Sequence, residues 1–181
     1  ICSSAEDVVN DDPKVIIAGV RGPLTQAILS ERLNRVPPVI SDPGLLVSRI
    51  YPLPRPPATI RRRVGFVVHE AHRDTFTKIF PEFQDCLVDN HVTLNARAFF
   101  EQLLSYEVIV SSSLHGIVFS HAYGIHVLPV TYHMEADLQS GKMDVIIGGD
   151  FKYRDYYASV GHKAFSWLVP LLDKTFDKES T

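Results

Sequence analysis

Short apolar runs alternate with stretches of helical spacing along this chain. Val15 to Val20 is an apolar run of strand length, suited to burial. Pro23 then marks a helix start, because proline at the first helical position removes only an amide that the helix leaves unpaired. Leu24, Ala27 and Ile28 follow at helical spacing. The same alternation continues with a strand over Val64–Val68, a helical segment around Arg73 to Phe80, and a weak strand near Val92–Leu94. The stretch ARAFFEQLLSYE predicts a helix with Phe99, Leu103 and Leu104 on its apolar side. Val108–Val110 predicts a strand, Leu114 to Tyr123 a helix and HVLPVTY a further strand. The tail GHKAFSWLVPLLDKTF reads as helical, kinked or divided at Pro170. Asp42-Pro43-Gly44 predicts a turn, and the proline-rich Pro52–Pro57 stretch an extended surface connection. Strands alternating with helices imply βαβ units, hence an α/β fold: a parallel twisted sheet with helices on both faces, Rossmann-like. The polar segment 1–13 is expected to be a linker or frayed start, and 14–181 a single domain.

Composition narrows this picture. The chain has 181 residues, enough for one domain or one large half of a two-domain protein. Hydrophobic residues at 45% and charged residues at 22% suit a globular chain in water. A net charge of −3 offers no broad cationic field, so nucleic acid is not an expected partner; Arg61, Arg62 and Arg63 read as the flank of a strand. No apolar run is long enough to cross a bilayer, and no signal peptide is evident. Two cysteines, Cys2 and Cys86, make no disulfide framework and imply a reducing compartment. The chain opens at Ile1 without methionine, which reads as a fragment or processed product. No carboxylate cluster has metal-ligand spacing, and no metal is expected.

The chemistry concentrates in VIVSSSLHGIVFSHAYGI, Val108–Ile125. In open α/β sheets ligands gather at the carboxyl ends of strands, and Ser111 to Gly116 occupies such a strand-to-helix junction. The first amides of a helix lack internal partners and carry partial positive charge, which favours phosphate or carboxylate. Ser111, Ser112 and Ser113 add donors, though serines before a helix are also ordinary caps. Gly116 costs about 1 kcal/mol against alanine inside a helix, a cost explained if its missing side chain lets a ligand approach the backbone. His115, in the first turn, can donate a hydrogen bond or exchange a proton near neutral pH. His121 shares an apolar stripe with Leu114, Ile117, Val118, Ala122 and Ile125 and reads as a core or interface histidine. A second loop, GVRGPL, sets Arg21 between glycines just ahead of a helix, where a guanidinium can grip an anion through two parallel hydrogen bonds. A third, GGDFKYRDYYASVG, gathers Lys152, Arg154, Asp155, Tyr156 and Tyr157; its hydroxylated rings suit sugar recognition, or else pack a loop down, the reading favoured for Tyr157.

The blocks VRGPLTQAIL, ISDPGLL, RVGFVVHE, VIVSSSLHGIVFSHAYGI and FKYRDYYASVG stand in an order that resembles the polysaccharide pyruvyl transferases. The likeness runs from about Lys14 to Gly161, and Leu114-His115-Gly116 is its most specific part. The resemblance implies a GT-B-like architecture of two Rossmann-like halves, with this chain as the carboxyl-terminal, donor-binding half and an amino-terminal half-domain missing. It implies transfer of a pyruvyl group from phosphoenolpyruvate, a donor substrate and not a cofactor, onto hydroxyls of a polysaccharide or its precursor, forming a ketal and releasing phosphate. Arg21 would then hold the donor, His115 would bind phosphate or transfer a proton, and Ser111, Ser112, Ser113, Leu114 and Gly116 would line the donor site. Lys152, Arg154 and Tyr156 would serve the acceptor or an auxiliary role. Arg21 and His115 are expected to converge on the donor at one rim of the sheet. Many family members carry arginine where this chain has Ser113, and a hydroxyl alone does not replace that bidentate clamp; Lys152 or Arg154 could supply the charge. A cytoplasmic protein working near a membrane is the natural setting. Two other readings use the same loops: a nucleotide-sugar GT-B half-domain, and a degenerate sugar-binding domain without turnover.

Overall fold

In a computed structural model of the chain, the described residues are 14–89, 95–132, 151–162 and 170–171. In chain order their elements are β1 (Gly19–Val20), α1 (Pro23–Leu33), β2 (Val39–Ile40), α2 (Val47–Ile50), β3 (Arg62–Val67), α3 (Arg73–Ile79), α4 (Ala96–Leu104), β4 (Tyr106–Ser111), α5 (Leu114–Ala122), β5 (His126–Pro129), β6 (Thr131–Tyr132), α6 (Phe151–Ser159) and β7 (Pro170–Leu171), with short 3₁₀ turns between them. The chain divides into two compact units, Ile1–Pro43 with Ile146–Ser166, and Gly44–Val145 with Trp167–Thr181.

The larger unit is built on the three-stranded sheet β3-β4-β5, with β4 central and both pairings parallel. Successive strand residues point to opposite faces, and β3 shows both being covered. Phe66 packs on Phe76 of α3, ring centroids 5.2 Å apart. Val67, facing the other way, joins the cluster of Phe99, Phe100, Leu103 and Leu104 from α4 with Ile109 of β4 and Ile125. Each fully buried aromatic or leucine side chain contributes about 1.5–3 kcal/mol. Phe100 and Phe119 meet edge to face, centroids 5.3 Å apart, and tie α4 to α5. The fold is α/β and Rossmann-like, with parallel strands joined through helices. A further parallel pair, β6-β7, lies in the same unit.

The smaller unit holds the parallel pair β1-β2 with α1 and α6. Its strands are two residues long, where the sequence predicted a run from Val15. The register Gly19↔Val39 places Pro37 and Pro38 ahead of the paired segment, and proline has no N–H for the ladder. Val15 and Ile16 stay exposed, and the Val15 carbonyl accepts instead from the Arg35 guanidinium at 2.9 Å.

Other expectations are corrected in detail. Helix α1 begins at Pro23 as predicted, but it buries Leu29, while Leu24 and Ala27 are exposed. HVLPVTY divides into β5, which pairs with β4, and β6, which pairs with β7. Pro170 opens strand β7, and the rest of the tail predicted as helical beyond His162 lies outside the described residues. Phe100 is buried beside the three residues predicted for α4. Turn 42–44 runs into a 3₁₀ turn over Pro43–Leu46, and 52–57 carries no regular element. The predicted strand at 92–94, the linker 1–13 and Cys2 lie outside the described residues; Cys86 is a free thiol.

Candidate functional site

At the carboxyl ends of β3 and β4 the chain builds a hydrogen-bonded platform beneath the first turn of α5. Ser111 is fully buried; its hydroxyl lies 3.0 Å from the Val67 carbonyl and 2.9 Å from the Ser113 carbonyl, and it accepts from the Ser113 N–H at 3.1 Å. It therefore joins the two strand ends and shapes the loop. Ser112 sends its N–H to the Val67 carbonyl and accepts from the His69 N–H at 3.0 Å. Ser113 stands at the helix N-cap in extended conformation, and its side chain makes no capping bond. Leu114 is buried and anchors the turn. His115 is exposed, its ring stacked on Phe119 one turn along, centroids 5.9 Å apart and planes 25° apart. The site is thus an outward imidazole at the positive end of a nine-residue helix, on a rigid serine bed.

Gly116 has a different reason from the one predicted. It is buried, and a Cβ there would meet the Ser111 hydroxyl and the Val67 side chain, whose Cγ1 would lie at 2.7 Å. The vacancy is filled by β3 and not by a ligand. Gly116→Ala is expected to lower stability by about 1–3 kcal/mol through overpacking, read as a fall in urea midpoint with an unchanged denaturant slope.

His69, two residues past the end of β3, is not among the residues the sequence singled out. It is half-buried, its Nδ1 accepts from the Ala71 N–H at 3.3 Å, and its ring lies 5.9 Å from that of His72. The signal was available: a polar, titratable residue directly after an apolar strand. His121 is half-buried in the last turn of α5.

In the smaller unit the loop before α1 holds Arg21, whose Nε donates to Asp42 at 2.7 Å. The amides opening α1 are not offered to an outside anion. Asp155 of α6, only 2% exposed, accepts from the N–H groups of Leu24 (2.8 Å) and Thr25 (3.1 Å) and from the Thr25 hydroxyl (2.6 Å). Asp155 fills the role of an N-cap residue from 131 positions away from Leu24. Gly22 permits this, since a Cβ there would collide with the Asp155 backbone and carboxylate.

Helix α6 itself was not predicted. It sets Lys152 within electrostatic reach of Arg21; burial first, and then the Arg21 charge, hold the Lys152 ammonium below the usual lysine range. Arg154 is exposed. Tyr156 is completely buried, and that burial pushes its phenol up, so it offers no stacking platform to a sugar. Tyr157 is buried too, its phenol pushed up to about 12 by burial, in keeping with a packing role. Among the described residues no cluster of three or more His, Cys, Asp or Glu could hold a metal ion, and no helix is long and apolar enough to cross a membrane.

Parallel strands joined through helices, with a serine-lined strand-to-helix junction at the carboxyl edge of the larger unit, define a Rossmann-like α/β protein. The family model for polysaccharide pyruvyl transferases matches residues 14–134. The chain belongs to the polysaccharide pyruvyl transferase family. The matched span takes in Arg21, His69 and the whole Ser111–Gly116 platform and ends before α6. No curated protein and no solved structure matches the chain.

Proposed function

We propose that this chain acts in transfer of a pyruvyl group from phosphoenolpyruvate to two hydroxyls of a saccharide, part of a polysaccharide or its precursor. The observation that supports the reading is the exposed His115 at the amino end of α5, carried on a platform inside the family match. The methylene carbon of the donor gains a proton, the adjacent carbon becomes oxocarbenium-like, and one sugar hydroxyl adds to it and loses its proton. A second hydroxyl displaces phosphate, closing the ketal. A group that gives and takes protons near neutrality suits both halves of this sequence, and His115 is assigned that role. The α5 amides and Ser113 suit the phosphate, while Ser112 and Ser111 keep the loop rigid. The part that the resemblance gives to Arg21, and the charge that Lys152 could add for an anionic group of the donor, belong to the same reading. No metal or cofactor takes part in this reading. A GT-B-like partner half and a cytoplasmic setting at the membrane surface belong to the same proposal.

Phosphoenolpyruvate is expected to raise the thermal midpoint where a nucleotide diphosphate sugar does not, and the reverse result would favour the glycosyltransferase alternative. Phosphate release with a saccharide acceptor separates turnover from sugar binding alone. Arg21→Ala and Lys152→Ala are each expected to weaken phosphoenolpyruvate binding by roughly ten- to a hundredfold, the range of one charge-assisted hydrogen bond. Arg154→Ala is expected to leave it unchanged. Calorimetric titration of the three variants checks this.

A further inference from the structure

What Arg21 can hold depends on which of its nitrogens are already in use. Strands β1 and β2 are parallel neighbours with Val20 opposite Ile40, and the Ser41 N–H extends the ladder by donating to the Val20 carbonyl at 2.9 Å. Arg21 and Asp42 therefore leave the pair at the same carboxyl edge. The backbone is tied down on both sides of Arg21, at Val20 by that bond and at Leu24 by the Asp155 carboxylate, which accepts the Leu24 N–H at 2.8 Å. The Asp42 side chain is 7% exposed, against 28% for that of Arg21. The bond between them runs from Nε to one carboxylate oxygen at 2.7 Å. It engages one of the five N–H donors of a guanidinium. The donors on Nη1 and Nη2 make no hydrogen bond to any described residue. They form the fork that matches two oxygens of a carboxylate or a phosphate. An arginine side chain otherwise has large rotamer freedom, which binding must remove; a buried carboxylate on Nε removes it beforehand. The same carboxylate cancels part of the guanidinium charge. Asp42 thus gives Arg21 direction at the expense of attraction.

We propose that Asp42 is a positioning residue: by holding Arg21 through Nε it aims the two terminal amino groups as a fork for one anionic group of the donor. This rests on the donor reading given above.

The test uses the full chain with Asp42→Ala, Asp42→Asn and Arg21→Ala, each checked for folding by circular dichroism. Heteronuclear NMR reads the Arg21 Nε–H with no ligand present, its resonance assigned by disappearance in Arg21→Ala. In the wild type this proton is expected to exchange with water about tenfold more slowly than those of exposed arginines, and in Asp42→Ala to exchange as they do. Calorimetric titration with phosphoenolpyruvate and with inorganic phosphate gives the second readout. Asp42→Ala is expected to weaken phosphoenolpyruvate binding by about tenfold, the range for immobilising one long side chain. Asp42→Asn, whose amide oxygen still accepts from Nε, is expected to recover most of that loss. Once Arg21 is replaced by alanine, Asp42→Ala adds no further loss. A carboxylate acting through its charge alone would give the opposite sign, both Asp42 variants binding the anion more tightly than the wild type. A residue that served folding alone would weaken binding equally with and without Arg21. A loss shared by inorganic phosphate assigns the fork to the phosphate, and a loss confined to phosphoenolpyruvate assigns it to the carboxylate; either upholds the role of Asp42. That role is overturned if folded Asp42→Ala binds phosphoenolpyruvate at least as tightly as the wild type, if its loss is the same in both backgrounds, or if the wild-type Nε–H exchanges like an exposed one. Should Asp42→Ala fail to fold, the wild-type exchange rate and Asp42→Asn decide, and tighter binding by Asp42→Asn overturns the role. If the wild type binds neither phosphate nor phosphoenolpyruvate, the donor reading falls, and the exchange rates alone uphold or overturn the positioning of Arg21.

Discussion

Replacing His115 by alanine is expected to lower pyruvyl transfer by about a hundred- to ten-thousandfold while leaving the thermal midpoint nearly unchanged. The ring is exposed and stacks on Phe119 at the surface of α5, so its removal opens no cavity in the core. What is lost is the one proton-exchanging group on the first turn of α5. His115→Gln divides the two roles open to this residue. Glutamine still donates a hydrogen bond to phosphate, but it cannot pass a proton at neutral pH. If the glutamine variant is as inactive as alanine yet binds phosphoenolpyruvate like the wild type, His115 is an acid-base group. If glutamine restores most of the rate, it is a phosphate ligand. An alanine variant within a few-fold of wild-type turnover would remove His115 from the mechanism.

Gly22→Ala is expected to cost the largest share of stability of any single methyl group added to the smaller unit. A Cβ at this position would meet the Asp155 carbonyl carbon at 2.5 Å, besides its oxygen and carboxylate. Backbone cannot swing aside as a flexible side chain does, so α6 has to move and the three bonds to Asp155 stretch or break together. Overpacking costs about 1–3 kcal/mol, and a buried carboxylate that loses its partners adds about 3 kcal/mol. The combined loss corresponds to a fall of roughly 10 °C in a chain of this size. Thermal denaturation followed by circular dichroism checks it, and a fall of less than about 2 °C would refute the close approach.

Local pattern carried much of the fold. The Pro23 start of α1, the strand over 64–67, and helices α4 and α5 follow from apolar spacing and capping rules that act within a few residues. Helix α6 did not show itself, because it has no apolar stripe: its buried residues are three tyrosines and an aspartate flanked by charges. Strand β7 hid behind Pro170, which argues for a broken helix until its parallel partner at Thr131 is known.

The site was legible in the same uneven way. Ser111 to His115 stood out because hydroxyls and an imidazole interrupt an apolar run at a strand end. The reason for Gly116 did not, since part of what it makes room for, the Val67 side chain, belongs to a strand about fifty residues earlier. The tie from Asp155 to Leu24 spans 131 residues, beyond any local signal. Without it the first turn of α1 reads as an open anion site; with it, the positive end of that helix is already satisfied by a carboxylate of the chain itself.

That long tie also sets an order of assembly at the ribosome. At typical elongation speeds the Leu24 and Thr25 amides are made on the order of ten seconds before the carboxylate that will cap them exists. The β3-β4-β5 sheet, encoded wholly between them, can pair while the earlier helix still waits for its distant clasp.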